Sequence, residues 1–282
     1  MLVHLTAHAL GALTPLADFD LAAFVWERLR DAYPATVAAC LMPQHVHLAS
    51  EVGDADGARR RLAAVLGGAA RLGGRHAPMW QPLPEAEPLR GRQHIERMIR
   101  YIVLNPSRAP LTRDPLEWLW STHRDVMGAV VDPWVTADRL ARVLGRSRAD
   151  FAARHHAYVS ADPTVSVIGS PPPRAVAPSP SATLPLARLA AAAAAATRSA
   201  LAAVRSRSVA RHLFVQLAVR DGWRNVGAIA EVCGITPRAV RLLRAAPVDP
   251  AALTAAARCA GDDRLLGYLA AAARAGAVPC RP

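Results

Sequence analysis

The chain of 282 residues contains no lysine, so all 34 of its basic residues are arginines. It has four cysteines, at Cys40, Cys233, Cys259 and Cys280. None of them shows the CxxC spacing of a zinc site or of a disulfide framework, so we expect free thiols in a reducing cytoplasm. The N-terminus lacks the basic segment of a signal peptide. The longest apolar stretch, residues 186–204, contains two arginines, which favours a helix in water over a membrane span.

The formal net charge of +12 is distributed unevenly along the chain. Residues 1–162 contain 19 arginines and 17 acidic residues, a net charge of +2. Residues 163–282 contain 15 arginines and 5 acidic residues, a net charge of +10. A GC-rich coding bias explains the use of arginine but not this asymmetry. The basic C-terminal part predicts a polyanionic partner, usually nucleic acid, and the alternative is a basic surface that only serves solubility.

A segment rich in proline, serine and alanine, residues 162–186, separates the two parts. Such a composition buries too little apolar area to fold, so it predicts an extended linker. The predicted domains are therefore residues 1–161 and residues 187–282, both of ordinary size.

The first predicted domain alternates strands and helices. Hydrophobic periodicity predicts strands at residues 2–8, 35–42, 45–52 and near 85–89, and helices at 20–31, 54–72 and 93–104. The last helix is expected to stop before Asn105-Pro106, because a residue before proline disfavours the helical conformation. This order predicts an α+β fold, a ferredoxin-like antiparallel sheet with helices on one face and the other face free.

Two histidines, His45 and His47, fall one residue apart in the predicted strand 45–52. Because side chains alternate in an extended chain, both point to the same face of the sheet. Two such imidazoles can hold one metal ion, or they can be two polar residues on a hydrated face. So short a motif does not distinguish between these interpretations.

The helix predicted at 93–104 carries a tyrosine outside its buried stripe. The stripe has helical spacing and consists of Ile95, Met98, Ile99 and Ile102. At 100° per residue, Tyr101 is in line with Arg97 one turn before it and Asn105 one turn after it. This alignment suits a functional site, and it also suits a boundary tyrosine whose ring packs while its hydroxyl faces water.

Taken together, these two motifs resemble a known family. The sequence MPQHVHL, residues 42–48, is followed about fifty residues later by YIVLNPSRAPLTRDPLEWLWST, residues 101–122. This combination is similar to the single-tyrosine transposases of the HUH endonuclease superfamily, of the REP-associated tyrosine transposase type. The resemblance covers about residues 1–160. The chain departs from the family at Gln44, where asparagine usually precedes the first histidine, and at Pro110, a usual glycine position.

The resemblance implies metal-dependent nicking and strand transfer of single-stranded DNA. It implies that His45 and His47 bind a divalent ion, that Asn105 completes the metal site, and that Tyr101 is the nucleophile. The product would be a 5′-phosphotyrosine link and a free 3′ hydroxyl. Family precedent implies Mg²⁺ or Mn²⁺, although imidazole ligands by themselves fit zinc.

The resemblance also suggests DNA contacts and partners. Arg97 and Arg100 are candidate phosphate contacts, and the alternative is that both are ordinary solvated arginines. The first domain is expected to bind single-stranded or hairpin DNA in the cytoplasm, associated with the nucleoid and not with a membrane. Relatives include monomers and dimers, so a homodimer is allowed.

The second domain contains a predicted helix-turn-helix near residues 226–244. Gly234 falls at the turn, Thr236 is a good helix N-cap, and Pro237 is a good first helical residue. A basic strip for duplex DNA recurs every third residue, at Arg238, Arg241 and Arg244. The alternative is a helical hairpin in a plain bundle.

The combined prediction is an enzyme that nicks and joins DNA through Tyr101, with a second domain that grips duplex or folded DNA near the cut. Two alternatives remain open. One is a DNA-binding regulator with an inactive nuclease domain. The other is a metal-dependent hydrolase that uses the histidine pair but no tyrosine.

Overall fold

The computed structural model describes residues 1–73 and 78–268, and the chain divides into two compact units. The first unit comprises residues 1–115, 120–126 and 134–171. The second comprises residues 116–119, 127–133 and the described residues from 172 onward. Two short stretches of the predicted domain 1–161 therefore pack with the second unit. The domain boundaries drawn from the sequence stay a prediction.

The first unit is built around an antiparallel sheet with the strand order β2-β3-β1-β4. Its strands are β1 (Leu2–His8), β2 (Thr36–Met42), β3 (His45–Glu51) and β4 (Glu87–Pro88). Its helices in the described residues are α1 (Phe19–Ala32), α2 (Ala55–Leu72), α3 (Arg92–Arg108), α4 (His123–Val126), α5 (Ala137–Val143) and α6 (Phe151–Ser160). The predicted mixture of helices with a four-stranded antiparallel sheet is confirmed.

The helices α1 and α2 begin where aspartate side chains cap them. Asp18 accepts a hydrogen bond from the Leu21 amide, and Asp54 accepts one from the Gly57 amide, which satisfies donors that an uncapped helix leaves open. The two helices pack against each other. The Tyr33 hydroxyl, just after α1, donates to the Ala58 carbonyl of α2 at 2.6 Å.

The helix α3 continues through Pro106 to Arg108, so the predicted stop before Asn105 is wrong. Proline has no amide hydrogen, so the carbonyl of Ile102, four residues earlier, loses its usual helical donor. The Asn105 side chain compensates: its Nδ2 lies 3.5 Å from the Ile102 carbonyl oxygen and 2.9 Å from that of Tyr101. A side-chain amide therefore replaces the missing backbone amide and lets the helix run on.

The sequence predicted that the face of the sheet carrying His45 and His47 is free, and the structure shows that it is covered. The helix α3 packs against β2 and β3, and the ring of Tyr101 contacts that of His47. As a result His47 is only 5% exposed. The apolar stripe of α3 needs a surface to bury against, and this face of β2, which carries Cys40 and Met42, supplies one.

The outer edge of β2 is covered by the segment 120–122. The Leu41 amide donates to the Trp120 carbonyl at 3.0 Å, and the Thr122 amide donates to the Ala39 carbonyl at 3.0 Å. The Trp120 ring is buried beside Trp26. This segment pairs with a strand edge that would otherwise be open.

The predicted linker, residues 162–186, forms no helix or strand before α7 begins at its last residue, yet both of its ends make specific contacts. In the first unit, Asp162 forms ion pairs with two arginines of α3, and Val165 is buried against Val103. In the second unit, the backbone amide of Leu184 donates to the Asp221 carboxylate at 3.0 Å. The segment is therefore extended but tied down at these points.

The second unit is helical in its described part. Its helices are α7 (Leu186–Ala196), α8 (Val209–Arg220), α9 (Val226–Cys233), α10 (Pro237–Ala245) and α11 (Pro250–Gly261). The alanine-rich α7 packs against α8 and α11. No helix in the described ranges is long and apolar enough to cross a membrane.

The described residues bear on the prediction that the cysteines are thiols outside a disulfide framework. Cys40, Cys233 and Cys259 are buried thiols that form no disulfide within the described residues, and Cys280 lies outside those residues.

A tight turn joins α9 to α10. Gly234 ends α9 in the left-handed region, at φ +64°, where a side chain would be strained. Thr236 then caps α10 by accepting a hydrogen bond from the Ala239 amide. The two helices pack against each other and α10 also packs against α8.

Candidate active site

Histidines of two neighbouring strands converge on one face of the sheet. In the β1–β3 register, His8 lies opposite His45, and Thr6 lies opposite His47. Directly opposed residues of an antiparallel pair share a face, and His4 shares that face by the alternation of β1. Four imidazoles therefore project from the same side of the two strands.

The ring of Tyr101 reaches this histidine face from α3. Its centroid lies 5.5 Å from that of His47, with the two rings edge to face at 84°. The His45 and His47 ring centroids are 4.9 Å apart. Tyr101 remains 40% exposed, so the tyrosine borders both the histidines and the solvent.

Asn105 joins the same group. Its Nδ2 is directed at the carbonyl oxygens of its own helix, as described above, and its side chain raises the pKa of the neighbouring His45 ring. Asn105 is 8% exposed. The structure thus brings together the four residues named in the predicted catalytic and metal site: His45, His47, Tyr101 and Asn105.

Burial keeps the two central histidines neutral at neutral pH. Burial, together with charge repulsion from the neighbouring imidazoles, lowers the pKa of His47 to about 3. The pKa of His45 is lowered by burial and by His8, against the nearby Asn105 side-chain oxygen, which favours the protonated ring and raises it. A neutral imidazole keeps one nitrogen lone pair, the form in which histidine binds metals.

Three residues beside this group were not recognised in the sequence. His4 lies 3.1 Å, Nε2 to Nδ1, from His47, and Glu87 of β4 lies 3.3 Å from His4 Nδ1. His8 stacks on His45 at 5.2 Å between centroids. The alternation of His4 and His8 in the first strand, LVHLTAH, was a detectable signal, whereas Glu87 stands in a stretch without clear periodicity.

The arginines near Tyr101 are held by an aspartate. Arg108 Nη1 donates to the Tyr101 carbonyl at 3.1 Å, and its guanidinium carbon lies 5.0 Å from the centroid of the Tyr101 ring. Arg108 and Arg100 both pair with Asp162, at 3.2 and 3.0 Å. Arg100 also lies over the Tyr158 ring at 4.5 Å. Sequence reasoning missed Arg108, although it stands two helical turns after Tyr101 on the same side.

The charge of Asp162 is stabilised by this arrangement. Burial alone raises its pKa, but hydrogen bonds from Thr164 and the positive charges of Arg100 and Arg108 outweigh burial and hold that pKa below its usual value. Arg100, a predicted phosphate contact, therefore forms an ion pair with Asp162. Arg97, the other predicted contact, is exposed on α3 one turn before Tyr101.

The donor set of the site is two imidazoles and one amide. In the parts of the chain that the structure describes, no three His, Cys, Asp or Glu side chains are grouped to hold a metal ion. A divalent ion at His45 and His47 would therefore rely on Asn105, water or a substrate phosphate for its remaining ligands, and ions such as Mg²⁺ commonly retain water and phosphate in this way. Water and phosphate oxygens would supply the hard ligands that the two imidazoles lack, so the choice of Mg²⁺ or Mn²⁺ stays a prediction.

The three arginines predicted to bind duplex DNA lie on α10 in the second unit. Arg238, Arg241 and Arg244 are all exposed. Two further exposed side chains, Leu242 and Ala245, border them, and Val240 is the buried residue of this helix. This exposed side of α10 is therefore basic, with an apolar patch.

No known protein family matches this chain, and no curated protein matches it. A solved structure of a REP-associated tyrosine transposase bound to a REP hairpin is similar to part of it. The TM-score is 0.36 and the sequence identity is 21%. The similarity covers 44% of this chain and 78% of that chain.

Proposed function

We propose that this protein cleaves and rejoins single-stranded DNA through Tyr101. The observation that carries the proposal is the contact of Tyr101 with His47, 5.5 Å between ring centroids, beside His45. A nucleophile that borders solvent next to paired neutral imidazoles has the parts needed for attack on a phosphodiester. The motif resemblance, HVH followed by YIVLNP, supports the same chemistry.

Arg108 acts as a positioning residue for the nucleophile. Its guanidinium lies over the Tyr101 ring while Asp162 holds its other end. A ring held between Arg108 and His47 has few rotamers available, so little entropy is lost when the substrate binds.

The proposed step is an in-line transesterification. The Tyr101 hydroxyl oxygen forms a bond to the phosphorus, and the bond between that phosphorus and the 3′ oxygen breaks. The tyrosine proton leaves to water and the departing 3′ oxygen takes up a proton from water. The phosphodiester is thereby stored as a 5′-phosphotyrosine, from which a second 3′ hydroxyl can recover it.

We propose that His45, His47 and Asn105 hold Mg²⁺ or Mn²⁺ at this site. When bound, such an ion polarises the scissile phosphate and offsets the charge that develops on its oxygens. The histidines contribute lone pairs because their burial keeps them neutral. The exposed Arg97 is a contact for the phosphates that flank the cut.

A covalent trapping experiment tests this function. The full-length protein is incubated with single-stranded DNA that carries a hairpin, with Mn²⁺ or Mg²⁺, and is analysed on a denaturing protein gel. We expect a protein–DNA adduct that disappears in Tyr101→Phe. The matched control is Tyr158→Phe, which removes a hydroxyl from another helix of the same unit and should retain the adduct.

Three results contradict parts of the proposal. An adduct that persists in Tyr101→Phe removes Tyr101 from its role. Cleavage without an adduct, leaving a 5′-phosphate, points to a hydrolase that uses the histidine pair. DNA binding with neither cleavage nor adduct points to a regulator whose nuclease site is inactive.

The finer fold assignments belong to the same proposal. The strand order β2-β3-β1-β4, with α1 between β1 and β2 and α2 between β3 and β4, supports a ferredoxin-like arrangement. The short turn between α9 and α10 and the exposed arginines of α10 support a helix-turn-helix that binds duplex DNA.

A further inference from the structure

A chain of hydrogen-bonding side chains crosses three strands and ends at His47. In the sheet, Glu87 of β4 lies opposite His4 of β1. Glu87 Oε2 is 3.3 Å from His4 Nδ1, and His4 Nε2 is 3.1 Å from His47 Nδ1. The planes of the two imidazoles are nearly parallel, at 14°, and their centroids are 5.3 Å apart. Carboxylate, imidazole and imidazole therefore form one continuous series.

The chemistry of the three groups sets the direction of these hydrogen bonds. A carboxylate only accepts, so His4 Nδ1 must donate to Glu87. A neutral His4 then has a bare Nε2, which accepts from His47 Nδ1–H. Because a neutral imidazole has one proton, the Nε2 of His47 is left with its lone pair.

Without the carboxylate, this direction is not determined. The hydrogen bond between two neutral imidazoles can run either way, from His47 to His4 or from His4 to His47. In the second case His47 carries its proton on Nε2, and a protonated nitrogen has no lone pair with which to bind a metal. The single charge of Glu87, placed at the far end of the series, removes the ambiguity.

We infer that Glu87 and His4 are positioning residues that fix His47 in its Nδ1–H tautomer and direct the Nε2 lone pair outward as a ligand. The tautomer is a property of this chain's own residues, and its use for metal binding rests on the proposed function. His4 is buried, 7% exposed, so water does not compete for its ring nitrogens. Glu87 is half exposed, with 52% of its side chain accessible, so it can be changed without opening a cavity.

The chain offers a matched control for Glu87. His94 of α3 lies 3.6 Å from the other carboxylate oxygen, Oε1 of Glu87. Replacing His94 removes a neighbour of the carboxylate but leaves the contact between Glu87 and His4 in place. The variant His94→Ala thus alters the same carboxylate without breaking the series.

Histidine-ring NMR of the metal-free, full-length protein tests the inference. Long-range ¹H–¹⁵N spectra distinguish the two tautomers, and the His47→Gln variant identifies the His47 signals. We expect the Nδ1–H tautomer of His47 in the wild type and in His94→Ala, and a mixture of both tautomers in Glu87→Ala. An Nε2–H tautomer in the wild type, or an unchanged tautomer in Glu87→Ala, overturns the inference.

Titration with Mn²⁺, followed by the loss of its free-ion EPR signal, separates this inference from the proposed function. We expect Glu87→Ala to weaken Mn²⁺ binding by about tenfold, the lower end of the range for lost outer partners of metal-binding histidines, and His94→Ala to leave it unchanged. A wild-type protein that does not bind Mn²⁺ contradicts the proposed metal site, whereas the tautomer spectra still decide the role of Glu87. Equal Mn²⁺ affinity in Glu87→Ala and wild type contradicts the link between the series and metal binding.

Discussion

The continuation of α3 through Pro106 leads to a specific stability prediction. The Ile102 carbonyl lies in a residue that is fully buried, and its usual donor is absent because residue 106 is proline. Asn105 Nδ2, at 3.5 Å, is the donor directed at it. The substitution Asn105→Ala therefore leaves a buried carbonyl unsatisfied. The Tyr101 carbonyl is affected less, because Arg108 also donates to it.

The expected cost follows from these contacts. An unsatisfied buried acceptor costs about 1–3 kcal/mol, and the better helix propensity of alanine returns roughly 0.5 kcal/mol. The net loss is about 1.5 kcal/mol. Since every 1.4 kcal/mol is a factor of ten, amide hydrogens of α3 that exchange by local unfolding should exchange roughly tenfold faster.

Hydrogen–deuterium exchange of peptides that cover α3 measures this change. A second substitution provides the control: Pro106→Ala in the Asn105→Ala background restores a backbone donor to the Ile102 carbonyl. We expect the double variant to regain most of the protection at residues 99–104. If Asn105→Ala exchanges like the wild type, or if the double variant is no better protected than the single one, the compensation by Asn105 is refuted.

Two further predictions concern pH and DNA affinity. Burial lowers the pKa of His155 to about 4, so below about pH 6.5 the unfolded state takes up a proton that the folded state does not. The free energy of unfolding should therefore fall by roughly 3 kcal/mol between pH 6.5 and 4. In urea unfolding, His155→Leu should flatten this pH dependence, and parallel profiles of variant and wild type would exclude a role for His155. Replacing Arg238, Arg241 or Arg244 by alanine should weaken duplex binding and reduce the slope of log affinity against log salt by about 0.9 per lost phosphate contact. The control Arg60→Ala, an exposed arginine of α2, should leave both unchanged, and equal effects at all four positions would indicate a general charge effect.

Local patterns predicted much of the fold. The strand Leu2–His8 and the hairpin of β2 and β3 were predicted to within one residue at each end, because alternation and a turn signal are short-range properties. The end of α3 was not, because its continuation through Pro106 involves a hydrogen bond from the Asn105 side chain to the Ile102 carbonyl. Helix propensities are assigned to each residue separately, so they do not predict a hydrogen bond from one residue's side chain to another residue's carbonyl.

The candidate site divides in the same way. That His45 and His47 share a face, and that Tyr101 and Asn105 share a side of one helix, follows from the sequence by itself, because the two-residue strand period and the helical turn are properties of the local backbone. The placement of α3 across the histidine face, the pairing of Arg108 with Asp162, and the series from Glu87 through His4 to His47 were decided only by the tertiary structure. These contacts join residues far apart in the chain, and they depend on strand register and helix packing, which no local period specifies.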